Sequence, residues 1–135
     1  MESYNFFLST NSREEMIEIT PEIKKILREK SSIRNGFVKI SIPHTTAGIT
    51  INENADTSVE RDILHILRKL IPKSREYHHV EGNTDAHLKS SLIGSRIDVI
   101  IEEGHLKLGR WQGIFLCEFD GPRSRKVYIH VFGDK

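Results

Sequence analysis

The sequence predicts an α+β fold: a compact α/β sandwich with a mixed or mostly antiparallel sheet and two to three helices on one side. Three observations carry this. The last third of the chain is rich in short strand-like runs, among them Val127, Ile129 and Val131 alternating with Tyr128, His130 and Phe132. Two segments, around Ile23–Leu27 and Val59–Leu70, repeat apolar residues at helical spacing. Ile114 to Phe119 is almost wholly apolar, as expected of a central strand covered on both faces.

Taken in order, residues 3–10 read as a strand. Thr20-Pro21-Glu22 opens a helix, with Thr20 as cap and Pro21 in the first helical position. Ile23, Ile26 and Leu27 mark its buried face, and it should end near Lys30. Asn35-Gly36 signals a turn. Phe37 to Ile42 alternates as a strand and Pro43 stops it. His44 to Asn52 is also strand-like, with Ala47, Ile49 and Ile51 on one face and His44, Thr46, Gly48, Thr50 and Asn52 on the other. The second face is polar and small, as the wall of a site would be. Asp56 caps a helix that runs to about Leu70, and Pro72 stops it. Residues 71–83 read as a loop holding Tyr77-His78-His79. Asn83 or Thr84 caps a short helix through about Ile93, ended by Gly94, with His87 in its first turn. Strands are expected at about 96–101, 105–119 and 125–132.

The 135 residues fit one domain, 1–135, large enough to fold on its core without a disulfide or structural metal. With 20 basic and 19 acidic side chains the net charge is +1, so the field that draws a protein to a phosphate backbone is missing and no nucleic-acid partner is expected. Cys117 is the one cysteine, which excludes an intrachain disulfide and favours a reducing compartment. The first residues lack the basic-then-apolar pattern of a signal peptide, and no apolar run approaches the ~20 residues of a membrane span. A cytoplasmic protein without a membrane partner is expected.

The chemistry-bearing residues fall in a few segments. Of seven histidines, His44, His79 and His87 lie in a loop or at the start of an element among polar groups, where imidazole serves as metal ligand or proton carrier. The spacing of His79 and His87 suits two ligands of one ion, and it equally suits ordinary capping or core histidines. Glu53 or Asp56 could act as base or ligand, and Asp56 could simply cap its helix. Arg110 and Arg123 could grip a phosphate or carboxylate; the alternative is a bulged hairpin turning at Asp120-Gly121, with Trp111 in the core. Thr45 and Thr46 could donate hydroxyls to an anion. No phosphate-cradling P-loop, dinucleotide fingerprint or nucleophile elbow is present, and Cys117, inside an apolar strand, reads as core.

Four ordered segments resemble the YjbQ family: His44-Thr45-Thr46-Ala47-Gly48-Ile49-Thr50-Ile51-Asn52-Glu53, Asp85 to Gly94, Leu108 to Leu116, and Glu118-Phe119-Asp120-Gly121-Pro122-Arg123. The likeness covers nearly the whole chain. It departs at Arg110, where the family often has Thr, so Arg110 gains no catalytic role from it. The resemblance implies an α/β sandwich that assembles as a homotrimer. It also implies secondary thiamine-phosphate synthase activity, joining hydroxymethylpyrimidine diphosphate to thiazole phosphate with release of pyrophosphate. Position by position, His44, Asn52, Glu53, Asp56, His79 and His87 inherit the implied site, with His79 rather than His78 matching.

Two functional classes follow. The first is an enzyme acting on a phosphorylated small molecule. Glu53, Asp56 and Asn52 would be catalytic, Thr45, Thr46, Lys89 and Arg123 would bind substrate, and His44, His79 and His87 would hold a divalent metal. Three imidazoles prefer zinc, whereas a diphosphate substrate brings magnesium. A zinc site points alternatively to a metal-dependent hydrolase. The second class is a non-catalytic trimeric ligand-binding protein whose histidines stabilise an interface.

Overall fold

A computed structural model of the chain describes all residues except Arg75 and Val80. The expected 71–83 loop therefore lies partly outside the described residues. The elements run β1 (Glu2–Ser9), β2 (Glu15–Glu18), α1 (Thr20–Glu29), β3 (Asn35–Ser41), β4 (Ala47–Glu53), α2 (Thr57–Leu70), α3 (Thr84–Ile93), β5 (Arg96–Glu102), β6 (His105–Leu106), β7 (Gln112–Glu118) and β8 (Ser124–Asp134). They build two sheets, one ordered β1-β8-β3-β5-β6 and one ordered β2-β7-β4. Every pairing is antiparallel.

Strand alternation decides how the layers stack. In β8, Val127, Ile129 and Val131 turn inward beside Val38 and Ile40 of β3, and all five are fully buried. They meet Ile49 of β4, Ile114 and Leu116 of β7, and the apolar stripe of α1, Ile23, Ile26 and Leu27, in a core between the sheets. The alternate β7 residues, Phe115 and Cys117, point the other way. There they join Phe119, Leu67 of α2 and Ala86 of α3 in a second core. Strand β7 is thus covered on both faces, as its unbroken apolar run predicts. The helices are not all on one side. Helices α2 and α3 cover the outer face of the three-stranded sheet, while α1 belongs to the core between the sheets.

Three boundaries differ from expectation for identifiable reasons. The 105–119 strand is broken, because the Gln112 side chain accepts from Gly109 N–H at 2.8 Å and closes a turn before β7 begins. Thr20 does not cap α1; its hydroxyl accepts from Ile114 N–H at 2.8 Å and ties the helix start to β7. Asp120-Gly121 is not a hairpin turn, because β7 and β8 lie in different sheets and residues 119–123 cross between them. The four-residue strand β2, of mixed polarity, carries no sequence signal of its own. Among the described residues, no helix is long and apolar enough to cross a membrane.

Candidate functional site

Strand β4 begins at Ala47, so His44, Thr45 and Thr46 form a bend after Pro43 rather than the start of a strand. The small, polar face of β4 is not an open wall. A Cβ on Gly48 would stand 2.8 Å from the Gly94 carbonyl oxygen, so the end of α3 closes that face, and only glycine permits the approach. Ser90 of α3 adds a 2.6 Å hydrogen bond to the Ala47 carbonyl. The open space lies instead at the bend.

Two clefts meet there, sharing His44, Thr45 and Ser95 as lining. One, of about 470 Å³, is completed by Thr46, Arg123 and Arg125. The other, of about 350 Å³, is completed by His87, Ser90, Ser91 and Gly94. His44 Nε2 accepts the Lys126 N–H at 2.9 Å, which places the proton of the neutral ring on Nδ1. Burial of the ring lowers the His44 pKa, and the positive Arg125 and Arg123 lower it further against the opposing pull of Glu118. His44 is therefore held neutral, with Nδ1–H as a donor.

Behind the first cleft lies a buried charged assembly. Arg125, 2% exposed, donates from Nε to Glu118 Oε1 at 2.9 Å and from Nη2 to Glu118 Oε2, and its Nη2 also donates to the Thr46 hydroxyl and carbonyl oxygens at 2.9 and 3.1 Å. Glu118 accepts further bonds from the Thr10 hydroxyl and Asp120 N–H. Burial alone would raise the Glu118 carboxyl, but the Arg125, Thr10 and Asp120 donors outweigh it and hold the group below its ordinary value. A second assembly lies under α3. The Lys89 ammonium, 1% exposed, donates to Asp85 at 3.1 Å and Glu14 at 3.2 Å, and Arg13 grips both Asp85 oxygens at 3.1 and 3.2 Å. Burial raises the Asp85 carboxyl, and Arg13 and Lys89 more than reverse it.

Of the residues singled out from sequence, the bend brings together His44, Thr45, Thr46, Arg123 and His87. The structure sets the others elsewhere. Lys89 is enclosed and neutralised by two carboxylates, so its charge is spent inside the protein. Asn52, Glu53 and Asp56 lie toward the far end of β4. Asn52 is six residue steps along the chain from Thr46, about 20 Å at about 3.3 Å per residue of strand. There Asn52 Oδ1 accepts from Glu53 N–H at 2.7 Å, and Asp56 caps α2 by accepting from the Ser58 N–H and hydroxyl at 2.9 and 2.7 Å. The Ser58 bonds lower the Asp56 carboxyl. Trp111, expected in the core, is 52% exposed, with the Arg110 guanidinium 4.7 Å above its ring. Cys117 is enclosed and burial pushes its thiol up to about 12, which suits a core residue and not a nucleophile.

The three-histidine metal site does not fit within one chain. His44 has its Nε2 lone pair engaged by a backbone N–H and its Nδ1 protonated, which leaves no free lone pair for an ion. Among the described residues, no three His, Cys, Asp or Glu side chains gather closely enough to hold a metal. His79 and His87 do approach, edge to face with ring centroids 5.3 Å apart, and both His78 and His79 are exposed.

Sequence reasoning did not reach Ser95, or Arg125 and Glu118 as a pair. For the pair a signal existed. Arg125 occupies the inward register of Val127, Ile129 and Val131, and Glu118 ends an apolar strand, so both are charges at positions that bury.

Known proteins resemble this chain in sequence and in fold. Residues 4–134 match the family described as UPF0047 protein YjbQ-like. UPF0047 protein MJ1081 of Methanocaldococcus jannaschii is 52% identical over 98% of this chain and 95% of its own length. UPF0047 protein YugU of Bacillus subtilis is 51% identical over 93% and 96%. A crystal structure of an uncharacterised YjbQ/UPF0047 protein from Clostridium acetobutylicum superposes with a TM-score of 0.92 at 52% identity, covering 96% of this chain and 99% of that one. A YbjQ-like protein of unknown function from Sulfolobus solfataricus gives 0.93 at 34% identity over 98% and 97%. By sequence along its length and by fold, the chain belongs to the YjbQ-like UPF0047 family.

Proposed function

We propose that the chain is a cytoplasmic small-molecule enzyme that holds the phosphate of its substrate in the clefts at the His44 bend. One observation supports this above the rest. His44 and Thr45 of the bend, His87 of α3, Ser95 before β5 and Arg123 before β8 come from separate segments yet line two clefts that share a wall. Arg123, paired with Asp120 at 2.8 Å, supplies its remaining guanidinium N–H donors, Thr45, Ser91 and Ser95 supply hydroxyl donors, and neutral His44 supplies Nδ1–H. Donors fixed before the anion arrives stabilise charge that develops on it.

The reaction implied by the family resemblance fits that chemistry. Joining hydroxymethylpyrimidine diphosphate to thiazole phosphate forms a carbon–nitrogen bond and breaks the carbon–oxygen bond to the leaving pyrophosphate. The donors at the bend would bind that departing anion. Glu53, Asp56 and Asn52 lie too far from the bend in the same chain to act with them, so any role for these residues beside the bend requires another copy, as a homotrimer would supply. The assay is formation of thiamine phosphate from both substrates, with Arg123→Ala and Glu53→Ala variants. Turnover lost in Arg123→Ala supports the anion cleft. Turnover equal in all three proteins removes both residues from the mechanism.

A second reading is favoured by the contact between His79 and His87: a metal-dependent hydrolase, with the pair giving two ligands and another copy the rest. Zinc suits imidazole ligands, and magnesium would come with a diphosphate substrate. The test is metal content of the purified protein and of a His79→Ala, His87→Ala variant. Metal that disappears in the variant supports it. No metal in either, with loss of the oligomer in the variant, supports instead a non-catalytic protein whose histidines hold an interface.

A further inference from the structure

Away from the bend, a groove runs between α1 and the β6–β7 connection. It consists of two joined clefts, of about 450 and about 660 Å³, which share Lys24, Arg28 and Leu106. Its charge is out of proportion to a chain of net charge +1. Lys24, Lys25, Arg28, Arg34 and Arg110 line it, against the carboxylates of Glu18 and Glu103 alone. Glu18 is already engaged by the Asn54 amide at 3.0 Å. Among the described residues, Lys24, Lys25, Arg34 and Arg110 have no carboxylate oxygen within 4.0 Å, and Arg28 reaches only its neighbour Glu29 at 3.6 Å. Arg125 and Lys89, by contrast, are fully neutralised. Beneath the cations the floor is apolar: Leu27 and Ile33 are buried, with Leu106 and Leu108 beside them.

We propose that this groove is a second binding site, distinct from the bend, for an organic polyphosphate. Two or more phosphate charges would lie along Lys24, Lys25 and Arg28, with the carbon skeleton of the ligand against Leu27, Ile33 and Leu106. The physical basis is the combination. Three cations on one helix, of which Arg28 alone has a carboxylate within reach, favour clustered negative charge, and an apolar floor favours a ligand with more than phosphate in it. The volumes suit one small organic molecule rather than a flat macromolecular contact.

The single tryptophan makes the test direct, because Trp111 carries Arg110, a groove residue, over its ring. A phosphate that draws Arg110 away changes the Trp111 emission. The experiment titrates the full chain with ATP, inorganic triphosphate and a short single-stranded RNA, following Trp111 emission and the heat of binding. It uses wild type, Arg123→Ala, and Arg123→Ala with Lys24→Ala, Arg28→Ala added. The expected result is saturable ATP binding, tighter than triphosphate, that persists in Arg123→Ala, where the bend is disabled, and is weakened at least about tenfold when Lys24→Ala, Arg28→Ala is added to that background. Equal affinity for ATP and triphosphate would remove the organic part of the ligand. Tighter binding of RNA through the same residues would make the groove a nucleic-acid surface. No ATP binding, or loss in Arg123→Ala alone, would overturn the second site and leave the proposal for the bend standing. Circular dichroism confirms that each variant is folded before its binding is compared.

Discussion

The two ends of strand β4 are built from equally polar sequence and do different things. At the His44 end, side chains from distant segments converge: His87, Ser95 and Arg123 reach the same clefts, with Arg125 and Glu118 fixed behind them. At the Glu53 end Asn52 and Asp56 satisfy their own neighbours, and the Asn54 side-chain amide reaches across to Glu18 at 3.0 Å. Asn52 bonds the next residue's N–H, and Asp56 caps the helix that starts beside it. A site needs groups from different parts of the chain held at one place, whereas a cap needs only the next turn. Polarity alone does not separate the two; the range of the hydrogen bonds does.

The largest expected effect comes from the support of the His44 end. Glu118→Ala leaves the Arg125 guanidinium buried without its carboxylate, and removing one partner of such a pair costs about 3–5 kcal/mol. Urea denaturation should show that loss. A midpoint close to wild type would mean that the cleft is not braced by this pair.

Arg123→Ala should act on binding and not on folding. Its side chain is half exposed and paired with Asp120 at the surface, so stability should change by no more than about 0.5 kcal/mol. In a Lys24→Ala, Arg28→Ala background that disables the groove along α1, affinity for inorganic pyrophosphate should fall about tenfold. Isothermal calorimetry measures the second and thermal unfolding the first. The opposite pattern would make Arg123 a structural residue.

Acid should weaken the fold through the same buried groups. Glu118 and Asp85 have carboxyls held below their ordinary values of 4.5 and 3.8. In the acid range the unfolded chain therefore binds protons that the folded chain refuses. The stabilisation is fully present above the ordinary values and is lost as pH falls through the lowered, folded-state ones. Urea midpoints should hold steady down to about pH 5 and fall below it, with a shallower fall in Glu118→Gln. Identical profiles for wild type and variant would remove Glu118 as a source of the loss. The smallest effect is expected at the far end of β4. Asp56→Ala removes a surface cap and should lower the melting temperature slightly, with pyrophosphate affinity unchanged.

Much of this architecture was legible in the chain. The alternation in Val127–Phe132 and the apolar run Ile114–Phe119 located β8 and β7, and Asp56 located the start of α2, because each signal is local. The family motifs contain His44, Thr45, His87 and Arg123, which line the clefts at the bend. What was not legible is long-range. Nothing within His44–Asn52 tells that α3 closes the face of Gly48, since that depends on the approach of Gly94. The same reason hid the fate of Lys89. Its sequence neighbours are those of a surface helix, and only the fold brings Glu14 to it. Asn52, Glu53 and Asp56 looked joined to His44 because they are close in sequence, and an extended strand is the element that carries sequence neighbours farthest apart.

The central claim is that phosphate binds at the His44 end of β4. Calorimetric titration with inorganic pyrophosphate tests it most directly, in a Lys24→Ala, Arg28→Ala background that disables the groove along α1. Adding His44→Gln with Arg123→Ala to that background should weaken binding by at least about tenfold, while adding Glu53→Gln with Asp56→Asn should leave it unchanged. Binding that survives the first pair and is lost with the second would contradict the account.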